Sequence, residues 1–349
     1  MNQVARLREQ VARSYPPVEY PALTAQSIPG ALPHLEGRSI LDATPCWRNT
    51  LPKYLALLDA GAQVTVSAAP GIPHDPDVVA LVADLGIPVE RGDADTGFDV
   101  VLDCAGRHSR HPGSMGVAEL TRSGADPYAD AAVPVVLVDA GRIKVIEDLL
   151  GTSDGFLRAV ARLGHDLAGR DLLVFGGGKV GRGISWRAAT AGARVSVVDP
   201  RPVAVPPGVA LLPAGDTVAV RAAIDRADWI VTATGVTGVM SAYADAVVTS
   251  SALLANMGAT DEYGDDVPGR RVLNDKAPLN FVLPEPTRLR YLESSMALSN
   301  AAADWLVARA TVGPPAPPGL IVPPDDLEAP ILNVTAQSPL LHEELPLLG

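Results

Sequence analysis

The stretch Leu172-Leu-Val-Phe-Gly176-Gly-Gly178-Lys-Val-Gly181-Arg-Gly183 constrains this chain more than any other. An apolar run leads into glycines at the first, third and sixth places of Gly-x-Gly-x-x-Gly, and a helical pattern to about Ala191 follows. Such a loop needs glycine for three separate reasons. Gly176 allows a tight turn, Gly178 lets a ligand diphosphate reach the backbone, and Gly181 lets helix and strand pack closely. Unpaired amides at the helix start then face the anion. The next apolar run, Arg194–Asp199, ends in an acid 18 residues beyond Gly181, placed to accept from both hydroxyls of a ribose. The motif predicts a Rossmann domain that binds NAD, with Lys179 and Val180 lying inside the loop.

Elsewhere, short apolar runs alternate with helical patterns. Strands are expected at Ser39–Ala43, Gln63–Ser67, Asp99–Asp103, Val133–Val138, Asp171–Phe175, Trp229–Ala233 and Leu253–Asn256. Helices are expected at Leu51–Ala60, Asp77–Leu85 and Phe156–Leu167, the last closed by Gly169. Strands alternating with helices define an α/β protein with parallel sheets. At 349 residues the chain has room for about two domains. The pattern divides it into 1–150, a substrate or catalytic domain to which 295–349 returns, and 151–294, the NAD-binding Rossmann domain. The stretch 313–324 holds six prolines and reads as a loop or arm without a core.

A net charge of −12 argues against nucleic acid and against anionic membranes, whose partners need a basic surface. The two cysteines, Cys46 and Cys104, give no disulfide framework, and the histidines lack metal-site spacing, so no metal is expected. No run of about 18 apolar residues suggests a membrane span, and the charged first twenty residues do not read as a signal peptide. A cytoplasmic location is the expectation.

Several residues carry candidate chemistry. Lys144 is one of four lysines, and a desolvated lysine beside a cofactor can take a hydroxyl proton. Glu147 and Asp148, three and four residues on, can orient it from one helical face. Asp103 ends a strand, where ligands of open α/β sheets collect. Glu119 is a second acidic candidate. His108, within the basic run Arg107-His-Ser-Arg-His111, can serve as a base or help hold an anion. Thr234, Gly235 and Asn256 end later strands and are expected near the nicotinamide ribose and carboxamide.

With these residues placed, the chain resembles the S-adenosylhomocysteine hydrolase family from about Leu35 to Asn300. The resemblance rests on Leu57–Val64, Gly86–Val89, the glycine loop through Asp199, Val231–Gly235, Asn256-Met-Gly258 and Ser299-Asn300. It implies a tightly held NAD that oxidises the 3′-hydroxyl of a nucleoside ribose, a small-molecule substrate and a homo-oligomer. Thr121 falls in the segment that contacts NAD in the family. The substrate residues depart from the family pattern. Its His-x-Thr corresponds to Pro45 and Trp47, its first catalytic aspartate to Cys104, and its glutamate to Leu120, so Asp103 and Glu119 each stand one place early. The family's Lys-x-x-x-Asp-Asn becomes Lys144-x-x-Glu147-Asp148, and a histidine is replaced by Ala259. These departures point to an oxidoreductase or oxidation-assisted lyase acting on a secondary alcohol of a nucleoside-like substrate, with Lys144 and Glu147 or Asp103 handling the proton. Two alternatives stand beside it: a catalytically silent NAD-binding regulatory homologue, and a true adenosylhomocysteinase with a rearranged site.

Overall fold

A computed structural model describes residues 2–92 and 97–345. The chain divides into two compact units, 1–146 with 288–349, and 147–287. Each is built on one parallel sheet, the α/β architecture expected from the sequence.

In the first unit the strands are β1 (Ser39–Asp42), β2 (Gln63–Ser67), β3 (Val89–Glu90), β4 (Val100–Asp103), β5 (Gly116–Glu119), β6 (Pro134–Leu137) and, much later in the chain, β13 (Gly319–Ile321). Their order across the sheet is β13-β6-β5-β4-β1-β2-β3. The chain runs outward from β1 through β2 to β3, then resumes on the other side of β1 with β4. The carboxyl ends of β1 and β4 therefore flank the topological switch, where open α/β sheets bind ligands. Both strands end in an aspartate, Asp42 and Asp103.

Helices α1 (Gln3–Ser14), α2 (Pro21–Gln26), α3 (Leu51–Asp59) and α4 (Pro76–Asp84) belong to this unit. Alternate strand residues Ile40, Val100, Leu102, Ala118 and Val136 join the main core together with residues of these helices. The opposite alternation, Leu41, Val101, Val117 and Val135, packs with Tyr128. Strands buried on both faces read as continuous apolar runs, which is why β1, β2, β4 and β6 were legible.

The 313–324 stretch, expected as a loop or arm without a core, holds a short strand. Gly319–Ile321 adds a parallel edge strand, with Leu320 opposite Val135. The apolar trio Leu320-Ile-Val322 lies between two proline pairs, and prolines are tolerated at a sheet edge, where their missing amides interrupt no ladder.

The second unit contains β7 (Asp171–Phe175), β8 (Arg194–Asp199), β9 (Ala210–Pro213), β10 (Trp229–Thr232), β11 (Leu253–Asn256) and β12 (Val272–Leu273). Their order, β12-β11-β10-β7-β8-β9, reverses direction between β7 and β10. That is the Rossmann arrangement. Its helices are α5 (Thr152–Arg162), α6 (Lys179–Thr190), α7 (Thr217–Arg226) and α8 (Ala244–Thr249). A π-helical turn, Ile146–Gly151, leads into α5, and the unit begins within it at Glu147. The chain then returns to the first unit at Arg288 and forms α9 (Leu289–Thr311) and α10 (Asp325–Ala336).

Candidate functional site

The glycine loop connects β7 to α6. Gly176 has φ +99°, and a methyl group there would lie 2.4 Å from the Ala233 carbonyl oxygen. A methyl at Gly181 would lie 1.8 Å from the Gly176 carbonyl oxygen. Gly178 is the exception, since a methyl there meets no protein atom within 4 Å. Two glycines are thus required by the protein's own packing, while the third faces open space at the start of α6. Gly178 is the N-cap of that helix and supplies no side-chain cap, so the amides of the first turn remain available to an anion. The residues fit a dinucleotide diphosphate.

Asp199 ends β8 and is buried. Its carboxylate accepts from the Gly177 amide (2.8 Å) and the Arg201 amide (2.9 Å), which fixes it beside the loop. Val180 packs against the core of the unit. Lys179, the first residue of α6, forms an ion pair with Asp148 at 2.8 Å.

Across the switch, Thr234 and Gly235 follow β10. Their amides and the Thr234 hydroxyl all donate to one carboxylate, that of Glu262, at 2.6 to 3.0 Å. Glu262 is fully buried, and burial raises its pKa against the lowering effect of those bonds. Asn256 was expected to offer its amide to the nicotinamide carboxamide. Its Nδ2 instead donates to the carbonyls of Thr260 (2.8 Å) and Lys276 (2.7 Å), and its Oδ1 accepts from Gly258 N (2.9 Å). In this structure the side chain builds the loops after β11 and β12.

In the first unit, Asp103 and Glu119 lie opposite one another in register. Asp103 accepts from the Cys104 amide (2.8 Å), the His108 amide (2.9 Å) and the Tyr128 hydroxyl (2.6 Å). Glu119 accepts from the amides of Ala105 (3.0 Å), Gly106 (3.1 Å) and Thr121 (2.8 Å) and from the Thr121 hydroxyl (2.7 Å). The two carboxylates therefore hold the whole turn after β4, including Ala105 in a left-handed conformation (φ +60°). Burial raises the pKa of Asp103, and burial followed by the Asp103 charge pushes Glu119 up to about 7. Cys104, partly buried between them, is pushed up to about 12 by burial, then by Glu119 and Asp103, and is no thiolate near neutral pH.

Thr121, expected at the cofactor through the family resemblance, belongs to this carboxylate cluster in the first unit. Lys144 is buried, and its charge acts on Cys104. His108 is buried, whereas Arg107, Arg110 and His111 of the same run are exposed. Arg107 donates to the Gly71 carbonyl at 3.0 Å. Glu147 and Asp148 were expected to orient Lys144. Asp148 forms an ion pair with Lys179 in the second unit.

Sequence reasoning missed one further cluster. Asp42, at the end of β1, pairs with Lys53 at 2.6 Å, and both are buried. Thr44 links them: its hydroxyl donates to Asp42 (2.5 Å) and accepts from Lys53 (3.1 Å). The available signal was an aspartate ending the first strand eleven residues before the lone lysine of the first helix pattern.

Together, a Rossmann sheet, an accessible Gly178 and a fixed Asp199 define a dinucleotide-binding protein. Residues 148–273 match the family model described as "S-adenosyl-L-homocysteine hydrolase, NAD binding domain". The adenosylhomocysteinase of Thermotoga maritima is 33% identical over 178 residues, which span 48% of this chain and 42% of that protein. Among solved structures, the chain is similar to a dipicolinate synthase chain from Bacillus halodurans (13% identity, TM-score 0.45, covering 78% of this chain and 98% of that one). It is also similar to a transhydrogenase from Sinorhizobium meliloti (16% identity, TM-score 0.45, covering 81% and 99%). Residues 148–273 are thus similar to the NAD-binding domain of the S-adenosylhomocysteine hydrolases, and the chain spans less than half the length of the relative it matches.

Proposed function

We propose that this chain is an NAD-dependent enzyme that oxidises a secondary alcohol of a nucleoside-like substrate, at a 3′-hydroxyl, and does not run the housekeeping hydrolysis. The observation that carries this reading is a contrast between the two units. The glycine loop leaves Gly178 facing open space at the start of α6 beside the fixed Asp199, which suits the cofactor, while the Thr234–Gly235 turn is held by Glu262. The acids at the ends of β4 and β5 are instead spent on backbone amides. NAD, when bound, supplies the hydride acceptor.

The chain's own residues then have separate tasks. Gly176, Gly178 and Gly181 let the loop approach the diphosphate, and Asp199 selects a free ribose diol. Lys144, buried in the first unit, takes the proton of the substrate hydroxyl. Asp103 and Glu119 shape the turn from Cys104 to His108 and keep the Cys104 thiol protonated. Residues 1–146 with 288–349 form the substrate domain, 147–287 form the cofactor domain, and the protein is a cytoplasmic homo-oligomer. Among the described residues, no helix is long and apolar enough to cross a membrane.

The test is absorbance at 340 nm of NAD-loaded protein as adenosine, S-adenosylhomocysteine and other nucleosides are added singly. A rise with one compound is expected. Flat absorbance with confirmed bound NAD overturns the reading. It would favour the silent NAD-binding homologue, which the saturated carboxylates also fit. Release of homocysteine from S-adenosylhomocysteine would instead make the chain a true hydrolase with a rearranged site.

A further inference from the structure

Three residues of α6 spaced by four, Lys179, Gly183 and Arg187, share one stripe of the helix, and each meets the segment 148–153. Lys179 pairs with Asp148. Gly183 lies so close to the Leu149 carbonyl that a methyl group there would sit 2.0 Å from its oxygen. Arg187 donates to the Leu150 carbonyl (3.1 Å) and the Ser153 hydroxyl (2.9 Å). The π-helical turn is thus seated along the helix whose N-terminus would receive a cofactor diphosphate. Ser153 completes the seat by donating back to the carbonyls of Leu149 (2.5 Å) and Leu150 (3.1 Å).

The ion pair at the head of this stripe has an unusual electrostatic setting. A helix N-terminus carries partial positive charge, so a lysine in its first turn is unfavourable without an anion nearby. In this structure the Asp148 carboxylate is such an anion. A dinucleotide diphosphate at the same helix end provides a second, stronger one. We infer that Asp148 is a positioning residue which holds the Lys179 ammonium in place of the diphosphate, so that cofactor and carboxylate compete for one lysine and the turn at 147–151 responds to cofactor occupancy. The inference rests on NAD binding to the second unit and is independent of what the first unit binds.

NAD titrations by calorimetry on the full chain, carrying Asp148→Asn, Lys179→Gln and both, test it. Removing the carboxylate frees the lysine, so Asp148→Asn should tighten NAD roughly threefold, and Lys179→Gln should weaken it roughly threefold. If the competition runs through the lysine, the double variant should have the Kd of Lys179→Gln. Asp148→Glu, which keeps the charge, should bind NAD like the parent and guards against a folding artefact in the asparagine variant. Hydrogen exchange of the 147–151 amides should rise on adding NAD to the parent and stay unchanged in Lys179→Gln. Weaker binding by Asp148→Asn, tightening that persists without the lysine, or exchange at 147–151 indifferent to NAD overturns the inference. A parent that takes up no NAD overturns the cofactor reading itself, a distinct outcome.

Discussion

Asp103 and Glu119 are register partners on β4 and β5, and their two carboxylates accept the amides of Cys104, Ala105, Gly106 and His108. A turn that binds two acids with its own backbone amides has none of those amides left for a substrate anion. The pair also fixes how the turn responds to pH. Glu119 has its pKa raised from an ordinary value of 4.5 to about 7, so the folded state holds a proton that the unfolded chain releases. The stabilisation that Glu119 contributes is therefore lost as pH rises from about 4.5 to about 7. Urea midpoints across that window should decline in the parent, and Glu119→Gln should flatten the decline.

Glu293 on α9 is the second such group. It accepts from the amides of Ala22 and Leu23 at the start of α2 (3.1 and 3.2 Å), is fully buried, and is pushed up to about 8 by that burial. The sign is the same: the folded form prefers the neutral acid, and its stabilisation is lost as pH climbs from about 4.5 to about 8. Glu293→Gln should make the thermal midpoint less sensitive to pH above 7, where Glu119 contributes little.

Breaking the buried pair at the end of β1 should be costly. Lys53→Met leaves Asp42 charged with no cation in a site closed to water, at a cost of about 3–5 kcal/mol in chemical denaturation. Adding Asp42→Asn should recover most of that loss, since the penalty lies in the stranded charge. Equal losses in the single and double variants would contradict this account.

The glycines of the loop should separate folding from binding. Gly178→Ala places its methyl where no protein atom lies within 4 Å, so the thermal midpoint should hold while NAD affinity falls at least about tenfold. Gly181→Ala drives a methyl into the Gly176 carbonyl and should lower both stability and affinity. Gly183→Ala meets the Leu149 carbonyl and should cost about 1–3 kcal/mol. Calorimetry with NAD and thermal melts on the three variants check the ordering.

Much of the scaffold was legible because parallel strands buried on both faces write themselves as apolar runs, and glycines with strict roles mark the loop between β7 and α6. The less legible elements had physical causes. Helix α9 buries Glu293, Ser294, Ser295, Ser299 and Asn300, so its inner face does not read as apolar. Strands β5 and β13 are short, and each contains a glycine, which weakens a strand signal. The polar partnerships were the hardest to foresee. Tyr128 meets Asp103 from 25 residues away and Glu262 meets Thr234 from 28, and no local spacing rule links such pairs. Acidic side chains that were natural catalytic candidates proved to have backbone amides as partners, a distinction carried only by three-dimensional contact.

The second unit is one uninterrupted stretch, whereas the first is assembled from segments on either side of it. During synthesis from the N-terminus, all of 147–287 leaves the ribosome before Leu289 does. The sheet of β1 to β6 must therefore wait for α9, which contributes Met296, Leu298, Ala302 and Leu306 to its core, and for β13 at its edge. The nucleotide-binding unit can complete its fold first, and the earlier-born sheet then stays partly uncovered for the time needed to translate the intervening residues. Chaperone demand should accordingly concentrate on the first unit's apolar strands.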